Sequence, residues 1–287
     1  MRTHEKTAVS VMFLMVLGGC GTTPEDSADE VAGESSALFG KAFQIGVFRG
    51  GGWFLDSNGD NAWNGTPTDS IGLFGQAGDI PVVDKNCNPT APTRRIFVTR
   101  GPSQWFATAN DFDWNAGDSS FQFGFTTGPM FPVMLNGHIA AVRTDVGQWI
   151  WDTNDDHVFG ITDRNIQYGS AQDIPVAGRW VAGATERPGA FRNGLWTVDS
   201  NGNYSQDAGD AQFTFGMTGD WPVVADFNVN HAGDEVAVFR NGAWLVDFNG
   251  NRSWDDVGGG DKMFFFGQAG DIPVVAGPTW TSAMCIK

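Results

Sequence analysis

The chain is short of positive charge, with 17 Lys and Arg against 33 Asp and Glu and a net charge of −16 over 287 residues. That balance argues against a nucleic-acid partner, which needs clustered cations to displace counterions. It also argues against direct attraction to anionic lipid headgroups. Cysteine is scarce, and Cys20, Cys87 and Cys285 form no Cys–His pair. There is no nucleophile elbow and no phosphate-binding loop. His138, His157 and His231 are scattered, without metal-ligand spacing. The longest apolar run, Ala8 to Leu17, is too short to cross a bilayer as a helix. No stretch after residue 37 has helical periodicity. Tyrosine is nearly missing, 2 residues against 12 Trp and 23 Phe, so large apolar rings serve as packing units. Glycine, by contrast, is abundant at 39 residues, and with 13 prolines it falls at regular turn positions rather than in a disordered tract.

Residues 1–19 read as a processing signal. Arg2 and Lys6 precede the apolar run, which ends in Leu17-Gly18-Gly19-Cys20. This resembles a bacterial lipoprotein signal, in which Cys20 is lipidated and becomes the new N-terminus; a buried helix or an ordinary cleaved signal is the alternative. By the sorting rule of such lipoproteins, Gly21 rather than Asp implies an extracytoplasmic protein held in the outer membrane or at the cell surface if the host is Gram-negative. Residues 20–37, with five acids and no base, read as a flexible acidic tether.

The remainder, 38–287, is a repeat. Arg49, Arg100, Arg143, Arg192 and Arg240 each close a short apolar strand. Each is followed by a Trp (Trp53, Trp105, Trp149, Trp196, Trp244) and then by an aromatic-Gly pair: Phe74-Gly75, Phe123-Gly124, Tyr168-Gly169, Phe215-Gly216 and Phe266-Gly267. Pro81, Pro132, Pro175, Pro222 and Pro273 open the last strand of each copy. From Arg to Pro the spacing is 32, 32, 32, 30 and 33, while from Pro to the next Arg it is 19, 11, 17 and 18. A rigid module thus alternates with one variable loop. Asn193-Gly194 and Asn241-Gly242 mark type I′ hairpins, whose central residues need positive φ. A four-strand period of 43–51 residues predicts an all-β, five-bladed propeller in one domain.

The repeat is out of phase with the chain. Copy one begins at the strand ending in Arg49, and the chain ends its repeats with Asp271-Ile-Pro-Val-Val275. If that strand type is innermost, the last copy completes the first blade and closes the ring. Cys87 and Cys285 then lie just beyond the innermost strands of adjacent blades, where a disulfide would pin the tail; two free thiols are the alternative.

Oxygen-bearing side chains recur after the Trp strand. Asp56, Asn58, Asp60 and Asn64 stand at loop positions 1, 3, 5 and 9, as do Asp199, Asn201, Asn203 and Asp207, and Asp247, Asn249, Asn251 and Asp255. Asp152, Asn154 and Asp156 keep the first three. The spacing suits calcium. It equally suits a hairpin turn capped by its Asp, and position 6 lacks the Gly of a sharp bend. The recurring Arg and Trp are expected to serve the blade itself, the Arg through a salt bridge or by stacking on the nearby Trp. Trp63, Trp114 and Trp254 fall in loops and are the candidates for ligand stacking.

The run IPVVADFNVNHAGDEVAVFRNGAWLVD, with Phe-Gly ahead of it, resembles the FG-GAP and VCBS-type repeats of bacterial surface proteins, related in fold to the integrin α propeller. The resemblance covers residues 45–277. It implies a propeller with a binding or adhesive role and calcium in the loop after the innermost strand. Asp226, Asn228, Asn230 and Asp234 keep that loop's spacing, with His231 in place of its Gly. Asp84, Asn86 and Asn88 are shifted by one, with Pro92 at the last acid's place. The function expected is a non-catalytic cell-surface binding or adhesion module for a protein or carbohydrate ligand. A lectin-like propeller is the alternative, and a glycosidase with carboxylates on the axis is a third.

Overall fold

A computed structural model of the chain describes residues 43–84, 96–108, 112 and 114–276. They form a five-bladed β-propeller of four-stranded antiparallel sheets. The first blade contains β1 (Gln44–Arg49), β2 (Gly52–Leu55) and β3 (Ser70–Leu73). The second is β4 (Ile80–Val83), β5 (Ile96–Arg100), β6 (Gln104–Thr108) and β7 (Ser119–Gln122). The third is β8 (Met130–Leu135), β9 (His138–Arg143), β10 (Gln148–Trp151) and β11 (Arg164–Gln167). The fourth is β12 (Ile174–Gly178), β13 (Arg187–Arg192), β14 (Leu195–Val198) and β15 (Ala211–Thr214). The fifth is β16 (Trp221–Ala225), β17 (Glu235–Arg240), β18 (Ala243–Val246) and β19 (Lys262–Phe265). The last strand, β20 (Ile272–Ala276), pairs with β1, Ile45 opposite Val275 and Val47 opposite Pro273. The ring is closed as the phase of the repeat requires, and no inner edge of the first blade is left unpaired.

Burial follows the strand order. The second strands are almost wholly buried, whereas the outer strands either alternate between exposed and half-buried residues or expose three residues of four. Short, half-polar outer strands keep the exposed edges poor templates for pairing. The apolar cores lie between blades rather than within them. One cluster joins Ile45 and Val47 of β1 to Val223, Phe239 and Trp244 of the fifth blade, and four others span the remaining junctions.

At the centre of each blade stands its repeated Trp, fully buried in all five. The indole N–H of Trp53, Trp105, Trp149, Trp196 and Trp244 donates to the carbonyl of Phe74, Phe123, Tyr168, Phe215 and Phe266 at 2.6–3.0 Å. The ring edge meets a second-strand Phe in four blades, as at Phe191–Trp196 with centroids 5.0 Å apart. Its face stacks on an outer-strand Phe in three, as at Trp196–Phe213 with an interplanar angle of 7°. In the first blade that position is Gly72, and Phe112 from the second blade fills the space a Cβ would need. Asn193-Gly194 and Asn241-Gly242 have φ of 53°, 87°, 52° and 93°, the type I′ hairpins expected.

Candidate ligand clefts and acidic loops

The recurring Arg is held by an Asp two residues ahead of the inner-strand Pro. Arg100 pairs with Asp79 at 2.8 Å, Arg192 with Asp173, Arg240 with Asp220 and Arg49 with Asp271, each at 2.5 Å. In the third blade Met130 occupies that Asp position, and Arg143 turns to Asp145 at 2.7 Å. The expected structural role holds, but the stacking partner is Phe rather than Trp: the guanidinium carbon lies 4.6 Å over Phe54 for Arg49 and 4.5 Å over Phe106 for Arg100.

Those platforms floor two equivalent clefts. Between the first and second blades, Phe74, Gly75, Val98, Arg100, Phe106 and Trp114 enclose a cleft of about 280 Å³. Between the fifth and first, Phe266, Gly267, Val47, Arg49, Phe54 and Trp63 enclose one of about 290 Å³. The two loop Trp residues predicted for stacking are walls of these clefts, Trp63 40% and Trp114 57% exposed. Trp63 meets Phe54 and Phe266 edge-on, while Trp114 lies nearly parallel to Phe74 at 12°. Trp254 occupies the matching place between the fourth and fifth blades, against Phe215, but it is half-buried and donates its N–H to Asp256. Between the third and fourth blades Gln206 replaces the Trp and accepts the Gly169 N–H.

Trp63, Gln206 and Trp254 belong to the acidic loops, which join the third and fourth strands of their blades. The first Asp of each is buried and organises its own turn. One oxygen of Asp56, Asp152, Asp199 and Asp247 accepts the N–H of the sixth loop residue, Asn61, His157, Tyr204 and Arg252, at 2.8–3.0 Å. Those sixth residues take φ of 60–68°. The sharp bend therefore forms without the Gly that the sequence lacks, because the Asp holds the left-handed residue in place. Burial pushes the carboxyls of Asp56 and Asp247 up to about 6.

The Asn residues of all four loops bond within the loop, Asn154 donating to Asp156 in the third blade. Asn58 and Asn64 donate to Asp60, Asn201 and Asn203 to Asp207, and Asn249 and Asn251 to Asp255. Sequence reasoning missed a second carboxylate in each blade, immediately before the outer strand: Asp69, Asp118, Asp163, Asp210 and Asp261. Asp69 takes the N–H groups of Ser57 and Asn64, and Asp163 those of Thr153 and Gly160, so the acid ties both sides of the loop. The signal was present, since each stands five residues ahead of the aromatic-Gly pair.

The quartet Asp226, Asn228, Asn230 and Asp234 is only partly convergent. Arg179, from the fourth blade, reaches between Asp226 at 3.1 Å and Asp234 at 2.6 Å, so a guanidinium bridges the two acids. Asn228 turns its amide to the Phe248 carbonyl. His231 instead approaches Glu235, whose carboxyl is buried and pushed up to about 7 by that burial. Arg179 lies far from this loop in sequence, and nothing in the loop's own spacing announced it.

The axial cavity, about 140 Å³, is walled by the inner strands, with Pro81, Pro132, Pro175, Pro222 and Pro273 around it. Among the described residues every side chain lining it is apolar, and none is a carboxylate. Cys20, Cys87 and Cys285, the signal segment, the tether, and Asn86, Asn88 and Pro92 lie outside the described residues. Among the described residues no helix is long and apolar enough to cross a membrane. No protein-family model matches the chain, and no curated protein matches it.

Proposed function

We propose that the protein is a non-catalytic binding module, carried outside the cytoplasm on a lipid at Cys20, and that it holds carbohydrate in the clefts between its blades. The observation that carries this reading is the repetition of one cleft at two blade junctions. Each has an exposed Trp, an aromatic-Gly pair and a Phe-stacked Arg. An aromatic wall suits the C–H face of a sugar ring, and fixed polar donors suit its hydroxyls. Two nitrogens of Arg49 and of Arg100 face their Asp, and Nη1 of each has no protein partner among the described residues. Equivalent weak sites on one ring raise avidity without tight individual contacts.

What supports the non-catalytic side is the apolar axis, since a glycosidase needs paired carboxylates at its centre. The resemblance to FG-GAP and VCBS-type repeats points the same way, as does the acidic net charge, which disfavours nucleic acid. The test is a glycan array probed with the full chain. Binding to one saccharide class, lost in the Trp63→Ala/Trp114→Ala double variant at unchanged Tm, is the expected result. An array without binding removes the carbohydrate reading. The anchor is tested separately: fatty-acid labelling in the host, lost in Cys20→Ala.

A further inference from the structure

We propose that the β10–β11 loop of the third blade is a calcium site, with Asp152, Asp156 and Asp163 as its carboxylate ligands. One oxygen from each of the three lies within 4.8 Å of the other two, and among the described residues no other trio of His, Cys, Asp or Glu converges in this way. Asp156 follows Asp152 by four residues within the loop, and Asp163 returns to it from the start of β11. The site is distinct from the loop after the innermost strand, where the family resemblance would put calcium.

A second observation points to a ligand. Asp152 is fully buried; its Oδ2 accepts the His157 N–H, but its Oδ1 has no hydrogen-bond partner. In the sister loops the matching oxygen is satisfied. Asp56 Oδ1 accepts from Gly59, Asp199 Oδ1 from Gly202 and Asp247 Oδ1 from Asn251. A buried carboxylate oxygen left without a partner is strongly unfavourable, and more so beside two further acids. A cation bound there would satisfy the oxygen and neutralise the trio together.

The donor set selects the ion. All three ligands are hard oxygens, which excludes the soft-ligand preference of copper(I) and the nitrogen–sulfur preference of structural zinc. Calcium takes six to eight oxygens at about 2.3–2.6 Å, so donor oxygens up to about 4.8 Å apart fit around it, whereas octahedral magnesium at about 2.0–2.1 Å demands a tighter set. The Asn154 amide, backbone carbonyls of the loop and water would complete the shell. The loop is already positioned for this: the His157 ring stacks on Phe121 of the second blade with centroids 3.7 Å apart.

The experiment is a calorimetric titration of the full chain with calcium chloride after chelation, repeated with Asp156→Asn and Asp163→Asn. Both changes are nearly isosteric and keep one side-chain oxygen, which at Asp156 still serves the Val158 N–H and at Asp163 serves one of the Thr153 and Gly160 N–H groups. Calcium bound by the wild type at this loop, at least tenfold weaker in each variant, with a calcium-dependent rise in Tm that each variant loses, is the expected result. No heat and no Tm shift at millimolar calcium in the wild type overturns the proposal. So does calcium affinity unchanged in both variants, which would place the ion in another loop. The wild-type titration decides even if a variant fails to fold. It is also independent of the carbohydrate reading, because it uses no glycan.

Discussion

Arg49 Nε lies 2.5 Å from Asp271 Oδ1 across 222 residues of sequence. One residue sits at the end of β1, the other just ahead of β20, and the pair seals the sheet that closes the ring. The same Arg–Asp bond at Arg100, Arg192 and Arg240 joins residues only 19–21 apart. A short-range device of the repeat thus becomes, beside the β1–β20 ladder, a bond between the two ends of the ring.

Arg49→Met leaves the fully buried Asp271 side chain without its charge partner. Because the Arg is 39% exposed, the expected loss is discounted to about 1–3 kcal/mol. Urea denaturation measures it, and limited proteolysis should show faster cleavage on the N-terminal side of β1. Unchanged stability would mean that the β1–β20 ladder alone closes the ring.

Asp79→Asn and Asp145→Asn separate the buried ion pair from its exposed substitute. Asp79 is buried and also caps Gln76, whereas the Asp145 side chain is 38% exposed in a blade where Met130 has displaced the usual acid. Thermal melts should show a clear drop in Tm for Asp79→Asn and none for Asp145→Asn. Equal drops would show that burial does not govern the difference.

Gly242→Ala should destabilise the fifth blade by about 1–3 kcal/mol. Its φ is 93°, and an added Cβ would stand 2.5 Å from the Gly267 carbonyl oxygen. Gly219→Ala, with φ of 89° but open space, supplies the control for the conformational part alone. Chemical denaturation of both variants reads the difference as the steric part.

Glu235→Gln should flatten the pH dependence of stability. Burial raises the folded-state pKa to about 7, above the unfolded value near 4.5. Ionisation is therefore easier in the unfolded chain. The group costs nothing below pH ~4.5, and its penalty grows through that window to at most about 3 kcal/mol above pH 7. Its charged or titratable surroundings are Asp226, Asp234, His231 and Arg179, and Gln keeps an acceptor for the Asn228 N–H. The expected readout is a Tm advantage of the variant that is absent at pH 4.5 and widens towards pH 8. An advantage that does not vary with pH would mean that ionisation of Glu235 is not its source.

Much of the ring was legible because a propeller writes local rules repeatedly. Asn241-Gly242 specifies its hairpin within two residues, and β17 needs only its own apolar run to be buried. The phase of the copies, set against the position of Pro273, was enough to assign β20 to the first blade. The acidic loops were legible in part. Asp56 and its relatives were recognised as oxygen donors, but their hold on a left-handed sixth residue was not, because that bond depends on backbone geometry rather than residue type. Asp163 and its relatives recur at a fixed spacing, but a single Asp ahead of a strand is also an ordinary turn residue, so its residue type did not mark it. Arg179 was out of reach, for it comes from the neighbouring blade.

By itself the sequence determined the strands, the number of blades, the order within each blade and the residues that turn the chain. These depend on period-two burial, on positive φ and on spacing, all of which act over a few residues. Only the tertiary structure decided which side chains meet across blades. It turned Trp63 and Trp114 into walls of matching clefts, set Arg179 between Asp226 and Asp234, and gathered Asp152, Asp156 and Asp163 with one oxygen unsatisfied. The physical reason is that cleft walls and charge clusters are properties of the junctions between blades and of loop closure, where position in space is set by the whole ring.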